Sequence, residues 1–154
     1  MHHFISYKQR GEWVELLFMA QAAMHGYHVL KPSGDSLPYD VGIEQRGGLL
    51  RVQVKSSSHR KGSGYVGRFR RGNGNSRGGV QRYDCSEVDL FALYLLQPQI
   101  WYLIPAEKVL EPTPKLQIRL YPDAPPRPGR RKPDHDYECY REAWGLLTKS
   151  REEL

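Results

Sequence analysis

At 154 residues the chain has room for one domain with a substantial core, and 39% hydrophobic against 26% charged residues exclude a disordered polyelectrolyte. No apolar run nears the ~18 residues of a membrane-spanning helix, and the N-terminus lacks the apolar stretch and small-residue cleavage site of a signal peptide. Cys85 and Cys139 are too few and too far apart for a zinc site or a disulfide framework, so a reduced, cytoplasmic protein is expected.

Arg10 to Gly26 reads as the first helix. Trp13, Leu16, Leu17, Ala20, Met24 and Tyr27 recur at helical spacing and form one stripe, and Gly26 supplies a C-terminal stop. Glu12 falls at the edge of that stripe and Glu15 almost opposite it. This geometry selects Glu12 as the acid that reaches the protein body and leaves Glu15 to water.

A Gly/Ser/Asp/Pro loop then ends at Pro38. Tyr39 to Glu44 and Leu49 to Lys55 alternate in polarity about a Gln45-Arg46-Gly47-Gly48 turn, which predicts a hairpin. Leu50, Val52 and Val54 share its apolar face, and Gln53 and Lys55 share the other. Tyr65 to Arg70 reads as a third strand, and Gly72 to Gly79 as a loop. Tyr83 to Glu87 reads as a short helical turn. Val88 to Leu96 and Ile100 to Ile104 read as central strands buried on both faces. Pro105 to Leu110 suits a short helix, Leu116 to Tyr121 an edge strand, and Ala124 to Pro133 an extended Pro-rich connection. Asp136 to Glu153 reads as a closing helix with Tyr140, Trp144 and Leu147 on one face.

The charge is segregated. The chain carries +6, yet the seven bases Arg60, Lys61, Arg68, Arg70, Arg71, Arg77 and Arg82 lie between Ser56 and Tyr83 with no acid among them. The remainder is close to neutral. A concentrated basic segment suits a polyanion such as DNA, because each neutralised phosphate releases counterions. The alternative is a solvated loop with no ligand.

Twelve residues lie between Asp40 and Gln53-Val54-Lys55, across the predicted hairpin. Phosphodiester hydrolysis needs charge neutralisation at phosphorus and an activated water, and a carboxylate-held divalent ion supplies both. Asp40 and Gln53 can converge two side-chain oxygens, and the Val54 carbonyl a third. Lys55 can orient the attacking water or stabilise the pentacovalent phosphate. Glu12 can add a carboxylate. Against this, Asp40 could be a strand-edge acid, Gln53 and Lys55 a solvated strand face, and Glu12 a helix N-terminal charge.

The helix Glu, the Pro-x-Asp of Leu37-Pro38-Tyr39-Asp40 and the strand Arg51-Val52-Gln53-Val54-Lys55 resemble the PD-(D/E)xK nuclease superfamily. Together with Gly11-Glu12, Gly26-Tyr27-x-Val29-Leu30, Val88-Asp89-Leu90-Phe91-Ala92-Leu93-Tyr94 and Tyr102-Leu103-Ile104-Pro105, they resemble one branch more closely. That branch is the group I intron-encoded homing endonucleases of cyanobacterial type, which use Gln where most relatives use an acid. The likeness covers roughly residues 8 to 110.

The resemblance implies a mixed α/β, restriction-endonuclease-like fold with an αβββαβ core over 1–110. Residues 111–154 would form an extension, either part of the same domain or an oligomer contact offering Tyr137, Tyr140 and Trp144. It implies Mg²⁺-dependent cleavage of double-stranded DNA, with Mn²⁺ able to substitute, by a homodimer or homotetramer. By position, Glu12, Asp40, Gln53 and Lys55 would be catalytic, and Glu12, Asp40, Gln53 and the Val54 carbonyl would face the metal. A junction-resolving nuclease of the same superfamily and a DNA-binding protein without catalysis are the competing expectations.

Overall fold

The computed structural model describes residues 6–71, 81–123 and 135–154. In chain order the elements are α1 (Tyr7–Met24), β1 (Val29–Leu30), β2 (Val41–Gln45), β3 (Gly48–Ser57), β4 (Arg60–Lys61) and β5 (Gly64–Arg68). There follow β6 (Leu90–Leu95), β7 (Ile100–Pro105), α2 (Ala106–Leu110) and β8 (Gln117–Leu120). A five-stranded sheet runs β1-β2-β3-β6-β7, and a three-stranded sheet runs β4-β5-β8. The larger sheet is mixed: β3 and β6 pair in parallel and its other pairs are antiparallel. This is a mixed α/β architecture, as expected. Among the described residues the crossover from β3 to β6 contains no helix and passes through β4 and β5.

The helix begins where Ser6 caps it, its hydroxyl accepting from the Gln9 N–H at 3.1 Å. Its buried face is Val14, Phe18 and Ala22, with Trp13, Leu17 and Tyr27 packed beside them. The stripe read from spacing is therefore corrected: Leu16 is 62% exposed and Met24 86%. The run Leu16-Leu17-Phe18-Met19-Ala20 is apolar all round, so tertiary contacts choose the face. Phe18 meets Trp101 edge-on at 5.4 Å and stacks on Trp144 at 5.7 Å.

The β2–β3 hairpin turns at Gly47, whose φ of 81° suits glycine. Strand alternation then sorts β3. Leu50, Val52 and Val54 join the core beneath α1, with Leu90, Ala92 and Tyr94 of β6. Phe91, Leu93 and Leu95 join a second core with Tyr65, Phe69 and Tyr83. Gln53 lies beside Phe91 and Lys55 beside Leu93 in the parallel register. The polar pair of β3 thus shares a face with the second core.

Asp89 ties the start of β6 to β3. Its carboxylate accepts from Arg51 Nε at 2.9 Å, Arg51 Nη2 at 2.7 Å and the Arg51 backbone N–H at 2.8 Å. This ion pair is nearly sealed, with the Asp89 side chain 1% exposed.

The C-terminal reading is corrected. Asp136 to Glu153 is not a continuous helix but three short 3-10 turns at His135–Tyr140, Trp144–Thr148 and Arg151–Glu153. Glu142, at φ 48°, interrupts it. The edge of β7 captures that residue: Trp101 N–H donates to its carboxylate at 2.7 Å, and Glu142 N–H donates to the Trp101 carbonyl at 2.9 Å. Tyr137 and Trp144 are buried within the chain, at 5% and 7% exposure, so both rings contribute to its core. Tyr27 Oη donates to the Trp144 carbonyl at 2.8 Å, and Gln45 Nε2 to the Leu147 and Lys149 carbonyls. The tail packs on the same core as α1 and β3. The predicted Ala124–Pro133 connection lies outside the described residues.

Candidate active site

Asp40 ends the loop before β2 and is held there by its backbone, whose N–H donates to the Val52 carbonyl at 2.9 Å. Its side chain reaches across the hairpin to the far end of β3. Oδ2 accepts from the Val54 backbone N–H at 2.8 Å and from Gln53 Nε2 in a short contact. Gln53 Nε2 also points at the Val54 carbonyl, 3.4 Å away. Asp40, Gln53 and the Val54 carbonyl therefore converge on one point. Gln53 is buried, 7% exposed, so its amide stays at this point.

Desolvation pushes the Asp40 carboxyl up to about 6, and the Glu15 charge adds to the rise. The Val54 hydrogen bond and the charges of Lys55 and Lys31 oppose it. Lys55 is half-buried, and desolvation lowers its ammonium pKa against the pull of Asp40 and Glu15. A carboxylate shielded from water and poorly neutralised by the protein is a place for a cation. Among the described residues no three His, Cys, Asp or Glu side chains gather as a metal cluster. The donor set is leaner: one carboxylate, one main-chain carbonyl and one amide that presents oxygen after a half-turn. That set fits a hard cation that keeps waters and takes further oxygens from a phosphate.

The two helix acids lie the other way round from the sequence geometry. Glu12 is exposed, and no interaction ties it to Asp40 or Lys55. Glu15, one helical step round, is the acid whose charge acts on both. It is also ion-paired to Lys31, with 23% of its side chain exposed. The shift follows directly from the rotated burial of α1. Tyr83, read earlier only as the start of a turn, also stands at the site: Lys55 Nζ is 5.1 Å from its ring centre. Burial raises its phenol well above the ordinary range. An aromatic residue in a loop has no spacing signal, so nothing in the sequence marked it.

The basic residues divide. Arg60, Lys61, Arg68, Arg70 and Arg82 are exposed. Arg60 lies over the Tyr65 ring at 5.2 Å. Arg71 is half-buried and ion-paired to Glu87 through contacts of 3.1 and 3.2 Å, so it braces the fold. Arg77 lies outside the described residues. The segment begins beside the site, since Lys55 Nζ donates to the Arg70 carbonyl at 3.5 Å.

Asp40 at the start of one strand and Gln53-x-Lys55 on its neighbour fit the pattern of the PD-(D/E)XK nucleases, with Gln53 where the pattern has an acid. The chain belongs to the PD-(D/E)XK endonuclease family, whose profile matches residues 5–139. It is similar to the solved structure of a bacterial homing endonuclease, I-Ssp6803I, at 32% identity and a TM-score of 0.74, over 92% of this chain and 93% of that one. No curated protein matches it. The chain is a DNA endonuclease. Among the described residues no helix is long and apolar enough to cross a membrane.

Proposed function

We propose that this endonuclease is divalent-metal-dependent and cuts double-stranded DNA at a specific site, in the manner of a homing endonuclease. The observation that carries this reading is the convergence of Asp40, Gln53 and the Val54 carbonyl on one point, with Lys55 on the same strand face. When bound, Mg²⁺ or Mn²⁺ would lower the pKa of water and bear charge on the phosphate oxygens. Asp40, the Val54 carbonyl and the Gln53 amide oxygen would hold it, and Glu15 takes the role first given to Glu12. Lys55 orients the attacking water or meets the charge that develops on phosphorus. Its lowered pKa follows from desolvation, which also strengthens its interaction with an anion.

The exposed bases Arg60, Lys61, Arg68, Arg70 and Arg82 supply a phosphate-binding surface beside the site. Arginines suit guanine edges through their bidentate fork, which gives a route to sequence selection. Each chain holds one such site, so cutting both strands calls for a symmetric oligomer. The test is digestion of a plasmid library carrying candidate target sites, with Mg²⁺ and with EDTA. The reading predicts discrete double-strand breaks at one recurring sequence, abolished by EDTA. Cutting that persists in EDTA, or a smear without recurring ends, contradicts it.

A further inference from the structure

Lys55 is a flexible side chain that makes no direct ion pair among the described residues. Two other groups hold its ammonium: the Arg70 carbonyl at 3.5 Å and the face of Tyr83, with 5.1 Å from Nζ to the ring centre. These partners come from opposite ends of the basic segment. Its two stems are joined by the Arg71–Gln81 bridge, where Arg71 N–H donates to the Gln81 carbonyl at 3.1 Å, and the Arg71–Glu87 ion pair braces them.

The Tyr83 ring is preset. It is 5% exposed and meets Phe91 edge-on at 5.3 Å, and Phe91 meets Phe69 edge-on at 4.7 Å. The ring cannot turn without disturbing this aromatic stack, which belongs to the second core. A ring face carries negative potential and attracts an ammonium without neutralising it, whereas a carboxylate there would take its charge. The ring therefore restricts Lys55 while leaving its positive charge for the phosphate.

We propose that Tyr83 is a positioning residue for Lys55, its ring face holding the ammonium at the cleavage site. The inference rests on the reading of Lys55 as the lysine that acts on phosphate. It concerns the ring and not the hydroxyl, so phenylalanine should replace tyrosine and leucine should not.

The test has two parts. In the metal-free protein, the ε-methylene protons of Lys55 should be ring-shifted upfield in the parent and in Tyr83→Phe. Under single turnover with DNA and Mg²⁺, Tyr83→Phe should cleave within about twofold of the parent, and Tyr83→Leu about tenfold slower at unchanged DNA affinity. In a Lys55→Ala background, Tyr83→Leu should add nothing. Unshifted ε-methylene protons in the parent overturn the inference, even if Tyr83→Leu does not fold. Equal losses in Tyr83→Phe and Tyr83→Leu overturn it too, because the hydroxyl would then be the active part. Full activity in Tyr83→Leu beside an inactive Lys55→Ala overturns this inference alone. Full activity in Lys55→Ala overturns the reading of Lys55, and this inference with it.

Discussion

The Val54 backbone N–H donates to Oδ2 of Asp40 at 2.8 Å, so the end of one strand is fastened to the acid that opens its neighbour. The same acid is held away from water, with its carboxyl pushed up to about 6. The site is therefore also where the fold holds a carboxylate away from water. In the absence of a cation, the fold carries a carboxylate that it would rather protonate.

That gives a stability prediction with a definite direction. The folded state keeps the Asp40 proton up to about pH 6, whereas the unfolded chain releases it near 3.8. The Asp40 contribution to stability is therefore full below pH ~4 and is lost as pH rises through 6. In EDTA at pH 7.5, Asp40→Asn should be more stable than the parent by about 1–3 kcal/mol, and the gain should vanish at pH 4. Thermal denaturation at the two pH values measures it. The same variant should lose cleavage.

The two helix acids separate cleanly. Glu15→Gln should lower the cleavage rate at least about tenfold, because its charge bears on both Asp40 and Lys55. Glu12→Gln should change it less than about twofold, since Glu12 faces solvent. Single-turnover rates of the two variants decide the assignment.

Two adjacent arginines should behave differently. Arg70→Ala should weaken DNA binding and reduce the salt slope by about one, as loss of a phosphate contact does. Arg71→Ala should instead lower the melting temperature, because it leaves Glu87 without its partner at 3.1 Å. Binding titrations across salt, beside melting curves, separate the roles.

Trp144→Ala should destabilise the fold by about 3–5 kcal/mol, through loss of a large buried ring stacked on Phe18. Its oligomeric state, read by sedimentation of the folded fraction, should match the parent's. A stable variant that changes only its assembly would instead place Trp144 at an interface.

The strand faces were legible because alternation has one solution: Leu50, Val52 and Val54 on one side force Gln53 and Lys55 to the other. The hairpin and the Asp40-to-Lys55 spacing followed from it. The helix face was not legible, because residues 16–20 are apolar all round and Trp101, 83 residues beyond Phe18, decides which of them is buried. The expected placement of Glu12 toward the body and Glu15 toward water inherited that error. The closing helix failed for a similar reason: Tyr140, Trp144 and Leu147 have helical spacing, but Trp101 captures Glu142 from the edge of β7. Tyr83 reaches Lys55 through a loop, and loops carry no period.

The most direct measurement is single-turnover cleavage by the parent and Lys55→Ala in Mg²⁺, with DNA affinity measured for both. The account predicts affinity within about threefold and a cleavage rate at least about 10²-fold lower in the variant. Cleavage by Lys55→Ala at the parent rate would contradict it.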